Sequence, residues 1–314
     1  MSDQEQQKVW ERQALEHLLL ENLKEQRRAR RWRTAVRAMT LVVFVGLATQ
    51  LFDIDWGGQS KVGRHTALVD LQGEIAPDSK ASADNIVASL KSAFENPHSV
   101  GVVLRVNSPG GSPVQAGIIH DEIKRLREKY PNKPMHVVVE EICASGGYYV
   151  AVAGEQIYVD KASLVGSIGV VMSGFGVKGL MDKLGVERRL ITAGKNKALL
   201  DPFSKEDAQQ KQFVQEMLNE VHQQFIDVVK KGRGERLKDR PEIFSGLVWN
   251  GARSIELGLV DAIGNVDSVA RDVIKAPEVV DYTLKENLAE RFAKRFGAAL
   301  GDGVARVLLH SQLR

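Results

Sequence analysis

Ser145 lies in the run Cys143-Ala144-Ser145-Gly146-Gly147-Tyr148-Tyr149, just after the apolar stretch Met135 to Val139. A small-residue turn that closes a buried strand and opens a helix is a place where a hydroxyl can serve as a nucleophile. Unpaired N–H groups at the helix start favour negative charge developing there. Upstream, Asn107-Ser108-Pro109-Gly110-Gly111-Ser112 repeats the same order of strand, glycine turn and helix. The amides of Gly110, Gly111 and Ser145 itself are therefore candidate oxyanion donors. Each motif alone also has an ordinary use, since Pro-Gly-Gly is common turn chemistry and serine a common helix cap. Their joint occurrence points to serine hydrolysis.

A serine hydroxyl needs a base within hydrogen-bond reach. The seven histidines sit in no telling context: His136 falls on a buried strand, His17 lies before the expected anchor, and His65, His98, His120, His222 and His310 are scattered. Lysine serves if burial lowers its pKa from about 10.4 toward 7–8. Lys197, in Gly194-Lys195-Asn196-Lys197, is followed by apolar Ala198, Leu199 and Leu200. Lys195 competes, because alternate residues of an extended loop point the same way. Ser167, in Val165-Gly166-Ser167-Ile168-Gly169-Val170, is a candidate to orient the lysine amine. Cys143 reads as a small core residue.

No cofactor or metal is expected. His120-Asp121-Glu122 lacks the second histidine of a zinc helix. Gly174-Phe175-Gly176-Val177-Lys178-Gly179 fits a dinucleotide pattern, but no acid ends the following stretch Arg188 to Thr192.

The elements that must carry these residues alternate. Strands are expected at Thr66–Leu71, Val100–Val106, Met135–Val139, Gln156–Val159, Leu164–Met172 and Glu187–Thr192. Helices are expected from Asp84 to Phe94, from Pro113 to Lys129, after Ser145, from Val177 to Leu184, and from Lys205 to Lys231 behind Ser204. This is an α/β class with mainly parallel pairing.

The chain has 314 residues, 43% of them hydrophobic, enough for one large domain or two small ones. A net charge of +3 gives no reason to expect a nucleic-acid partner. Much of the positive charge lies in Arg27, Arg28, Arg30, Arg31, Arg33 and Arg37, ahead of the uncharged run Ala38 to Phe52. Arginines on one side, with Asp53, Asp55 and Trp56 on the other, fit an uncleaved membrane anchor with a cytoplasmic N-terminus. The expected organisation is a polar and basic helical segment at 1–34, an anchor at 35–56, a linker at 57–63, a catalytic domain at 64–282 and an amphipathic segment at 283–314. The single cysteine excludes an internal disulfide framework.

Taken together, Asn-Ser-Pro-Gly-Gly at 107–111, Ala-Ser-Gly-Gly-Tyr-Tyr at 144–149, Val-Gly-Ser-Ile-Gly-Val at 165–170 and Gly-Leu-Val-Asp at 258–261 resemble the signal peptide peptidase A family in its short form. The resemblance implies a Ser/Lys dyad with Ser145 as nucleophile and Lys197, through the family's Gly-x-x-Lys loop, as base. It implies Ser167 as the lysine-orienting serine and Gly110-Gly111 as the oxyanion hole. The implied fold is a spiral of ββα units similar to ClpP and crotonase. One domain copy implies a ring-shaped homo-oligomer whose subunits share active sites. The implied setting is the bacterial inner membrane, with the catalytic domain outside the cytoplasm. Implied substrates are remnant signal peptides or other unfolded apolar segments, with Val165, Ile168 and Val170 as an expected apolar pocket. A quality-control protease for misfolded membrane proteins, a crotonase-like acyl-thioester enzyme and a non-catalytic membrane scaffold are the alternatives.

Overall fold

The computed structural model describes residue 28 and residues 30–44 and 63–284. Residues 28 and 30–44 belong to one compact unit and residues 63–284 to another. Within the first, residues 30–44 are helical and expose Trp32, Met39, Val42 and Phe44. Among the described residues no helix is long and apolar enough to cross a membrane. The remainder of the expected anchor, most of the N-terminal segment and residues 285–314 lie outside the described residues.

The body is built on an eight-stranded, mainly parallel sheet. Strands β1 (His65–Gln72), β2 (Ser99–Ser108) and β3 (Met135–Ala144) run side by side. Their near-continuous branched sequences reflect burial on both faces. Val69, Leu71, Val102, Leu104, Val137 and Val139 face one cluster, whereas Leu68, Val103 and Val138 face another. Helices α1 (Ala83–Glu95) and α2 (Pro113–Lys129) pack in the larger cluster through Ile86, Leu90, Ile119 and Ile123. The N-caps are Ser82 and Ser112, whose hydroxyls accept from the amides of Asn85 and Gln115.

Strand β3 forks. Its first half pairs with β4 (Ile157–Val159) and its last residues with β5 (Leu164–Gly166). A six-residue helix, α3 (Gly146–Ala151), starts directly after β3. The fork therefore delivers Ser145 at the end of a strand fixed on one side by β2 and on the other by β5. β6 (Val248–Asn250) closes that edge antiparallel to β5.

The second half of the chain departs from expectation in three places. The strand expected over Leu164–Met172 stops at Gly166, where Gly166 and Ser167 take positive φ angles of 118° and 51° and turn the chain off the ladder. Glu187–Thr192 forms no strand; it is exposed and has no sheet partner. The long helix α5 runs Ala208–Arg233 and is capped by Asp207, not Ser204, because the Ser204 hydroxyl donates to Asp201 at 2.6 Å. Lys178–Lys183 forms the short helix α4, as expected.

The motif Gly258-Leu259-Val260-Asp261 is a structural hub. Arg233, only 2% exposed, makes a bidentate pair with Asp261 at 2.9 Å through both terminal nitrogens. Arg236 adds a contact at 3.1 Å, the Ile157 amide donates to the same carboxylate at 2.7 Å, and Tyr148 Oη donates to the Leu259 carbonyl at 2.7 Å. Burial alone would raise the Asp261 carboxyl, but the hydrogen bonds from Arg233 and Ile157 and the two guanidinium charges bring it below its ordinary value. Asp261→Ala is expected to lower stability by about 3–5 kcal/mol, because it leaves Arg233 charged and buried. A depressed carboxyl stabilises above its unfolded value near 3.9, and that contribution is lost as pH falls through the folded value. Thermal unfolding should therefore show a gap between parent and variant that is constant from pH 5 to 8 and shrinks below about pH 4.

Candidate active site

Ser145 occupies a strained turn. Its φ of 51° and ψ of −123° lie outside the regions an ordinary side chain favours, and the side chain makes no capping hydrogen bond. Ser167, the other serine with positive φ, also has a φ of 51°. Strained non-glycine residues persist where surrounding structure enforces them, and they gather at functional sites. Here the enforcement is visible. The Ser145 amide donates to the Gly166 carbonyl at 2.9 Å, and the Ser167 amide donates to the Leu247 carbonyl at 2.7 Å. One line of hydrogen bonds thus runs from the Ser145 turn through the Ser167 turn to the segment before β6.

The glycine turn after β2 packs against Ser145. A Cβ on Gly110 would lie 2.7 Å from the Gly146 amide nitrogen and from Ser145 Cβ, so only glycine allows this approach. Gly111 is bridged to Ile75: the Ile75 amide donates to the Gly110 carbonyl, and the Ser112 amide donates to the Ile75 carbonyl, each at 2.8 Å.

The available donors differ from the sequence expectation. The Ser145 amide is engaged by Gly166, because pairing of β3 with β5 continues one residue past Ala144. The Gly110 amide is engaged by Ser108 Oγ at 3.1 Å. Among the described residues, the amides of Gly111 and Gly146 make no hydrogen bond. They lie close together, since a Cβ on Gly146 would be 3.3 Å from the Gly111 nitrogen.

Ser145, Gly111, Gly146 and Ser167 line one cavity of about 470 Å³. Its apolar walls come from distant elements: Val170 and Val171 after β5, Val221 and Phe225 on α5, Phe244 before β6, and Tyr149 on α3. Of the three expected pocket residues only Val170 lines it. Val165, on β5, and Ile168, just past the turn that ends it, are fully buried in the core. His222 was not singled out from sequence, yet it lines the same cavity, and its Nε2–H donates to the Ile168 carbonyl at 3.1 Å. Nothing in its local sequence marks it; α5 brings it there from more than fifty residues away. Cys143 is buried beneath the turn, and burial pushes its thiol up, away from the reactive thiolate.

Lys195 and Lys197 are not among the walls of this cavity. Both are exposed, on a turn in which the Lys197 amide donates to the Gly194 carbonyl at 3.1 Å. Among the described residues no group of acids, histidines and cysteines is arranged to hold a metal.

A serine in a strained turn, an unbonded pair of amides and a cavity with apolar and polar walls are an arrangement that could carry acyl transfer. Comparison with known proteins agrees. The profile of Peptidase family S49 matches residues 127–279. The putative protease MJ0651 of Methanocaldococcus jannaschii is 33% identical over 245 residues, which cover 76% of this chain and 78% of that protein. The chain belongs to peptidase family S49, the signal peptide peptidase A family. A second S49-type relative, the putative signal peptide peptidase SppA of Enterococcus faecium, is 31% identical over 64% of this chain and 58% of its own length. A Brucella abortus protein named Na(+)/H(+) antiporter NhaA is 45% identical over 182 residues. The match covers 58% of this chain but only 25% of that protein.

Proposed function

We propose that this S49 member is a membrane-anchored serine endopeptidase that uses Ser145 as nucleophile and Lys197 as general base. The observation that carries the reading is the placement of Ser145, on a strained turn beside the unbonded amides of Gly111 and Gly146 and open to a cavity with several apolar walls. Neutral Lys197 takes the Ser145 proton as the hydroxyl oxygen attacks a peptide carbonyl. The amides of Gly111 and Gly146 hold the oxyanion. The protonated lysine then gives its proton to the leaving amine, and the acyl-enzyme is hydrolysed by water that Lys197 activates. Ser167, at the cavity wall, orients the lysine amine.

Lys197 reaches this cavity from a neighbouring copy in a ring-shaped homo-oligomer. Supporting this, the lysine turn is exposed and belongs to a segment rich in exposed apolar side chains, with Ile191 97% and Phe175 90% accessible. Such a surface on one copy calls for a partner. The body adopts the ClpP/crotonase-like spiral, and residues 35–56 anchor it to the bacterial inner membrane with the body outside the cytoplasm. Support for the anchor is the basic cluster before an uncharged apolar run. The Val170, Val171, Val221, Phe225 and Phe244 walls of the cavity suit remnant signal peptides or other unfolded apolar segments.

Casein and an apolar fluorogenic peptide test the base. Lys197→Ala is expected to abolish hydrolysis of both, while Lys195→Ala keeps most of the parent rate. A dead Lys195→Ala beside an active Lys197→Ala would reassign the base.

A further inference from the structure

Between Val171 and Ser204 the chain presents most of its side chains to solvent, Ile191 and Phe175 almost completely. Val177, Met181, Ala198, Leu199 and Asp201 are half-buried, and the Asp201 side chain is only 6% exposed. Several groups converge on its carboxylate. Arg188 Nη1 donates to Oδ1 in an ion pair, Ser204 Oγ donates to Oδ2 at 2.6 Å, and the Phe203 amide approaches Oδ1 at 3.5 Å. The Arg188 guanidinium also lies 4.8 Å from the centre of the Phe203 ring. One residue away, the Pro202 carbonyl accepts from the Val177 amide at 2.8 Å, which ties this knot to the start of α4.

The same knot is joined to the lysine turn by successive short-range bonds. The amide of Lys197 donates to Gly194, that of Leu199 to Asn196, and that of Asp201 to Ala198, at 3.1 to 3.2 Å. Leu200, with a φ of 55°, is held in left-handed backbone between the turn and the knot. Lys197 is thus four residues from a carboxylate held by several groups, on an arm that is mostly exposed.

We propose that Asp201, locked by Arg188, is the positioning residue that fixes where the Lys197 amine is presented to Ser145. The inference rests on the dyad reading above and adds how an exposed loop delivers a base with the accuracy proton transfer requires. The hydrogen bonds of Arg188 and Ser204 hold the Asp201 carboxyl down to about 2. The carboxylate is therefore ionised at every pH where the enzyme would be assayed. A lock of this kind is lost only as pH falls through that low value, so an acid limb in the activity near neutrality does not report Asp201.

The test uses the full chain in detergent, an apolar fluorogenic peptide, and separate determination of kcat and KM. Asp201→Asn should lower kcat roughly 10- to 100-fold with KM within about twofold, because a displaced base weakens chemistry and leaves the peptide cavity intact. Arg188→Gln should match it, and the double variant should be no worse than either, since the two act as one device. Asp201→Glu, which keeps the charge, should recover part of the loss. A passive structural role would not separate kcat from KM in this way. If Asp201→Asn fails to assemble, Arg188→Lys carries the same expectation for kcat, because it keeps the charge and loses the planar fork and ring contact. Parent-like kcat in the assembled Asp201 and Arg188 variants, or losses that multiply in the double variant, would overturn the proposal. An active Lys197→Ala would instead overturn the dyad beneath it, so the two failures are distinguishable.

Discussion

Ser145→Ala is expected to reduce peptide hydrolysis by at least about 10³-fold, with KM for any residual activity little changed. The size of the effect follows from what remains after the hydroxyl is gone. The amides of Gly111 and Gly146 would still polarise a carbonyl, and the cavity would still bind the peptide, which leaves the residual catalysis that binding and an oxyanion hole provide. Cys143 does not replace it, being fully buried with its thiol pushed up, and Ser167 is proposed to orient the lysine. Stability should not fall, because the Ser145 side chain makes no capping hydrogen bond to lose. Steady-state kinetics and thermal unfolding on the same sample check both parts. A variant that keeps a tenth or more of the parent rate would move the nucleophile elsewhere in the cavity, with Ser245 the next hydroxyl on its wall.

Gly111→Ala is expected to be nearly as damaging, through backbone geometry alone. At a φ of 144° an L side chain is strained, and the new Cβ would lie 2.9 Å from both the amide nitrogen and the carbonyl carbon of Ile75, closer still to its oxygen. The bridge to Ile75 must open or the turn must rotate. Either movement carries the Gly111 N–H away from its partner amide on Gly146. Removing one oxyanion donor costs about 10²–10³ in kcat. The strain itself should lower stability by roughly 1–3 kcal/mol. Gly117→Ala is the matched control: it lies within α2, where an added Cβ meets nothing within 4 Å. That variant should be active and at least as stable as the parent. A fully active Gly111→Ala would remove this amide from the mechanism.

The parts of the molecule that were legible in the sequence are those whose structure is set locally or by burial on both faces. Runs such as Val102 to Val106 and Val137 to Val139 announce central parallel strands, and Ser145 and Gly110-Gly111 announce themselves as small-residue turns after those strands. What was not legible depends on partners distant in sequence. Phe225 and Phe244 reach the cavity wall only because α5 and the segment before β6 fold back over Ser145. Val165 and Ile168 were expected in the pocket because alternation alone does not say which face is inside. Of the expected donors Gly110, Gly111 and Ser145, the amides of Gly110 and Ser145 are captured by Ser108 and Gly166, a tertiary effect that leaves Gly111 unbonded beside Gly146. Leu190 and Ile191 have the composition of a strand, but among the described residues this segment pairs with no strand of the sheet. The Gly-Leu-Val-Asp motif carried no readable role until Asp261 was seen gripping Arg233.

The separation of Lys197 from the Ser145 cavity within one chain makes mixing of dead variants the most direct measurement. Full-length Ser145→Ala and Lys197→Ala would each be purified, shown to be inactive, then dissociated and reassembled together, with exchange of subunits verified by differential tags. Recovery of peptidase activity only in the mixed assemblies is the expected result, since a neighbour with Lys197 intact would meet a copy with Ser145 intact. Mixed rings that form and remain inactive would contradict a dyad shared between subunits.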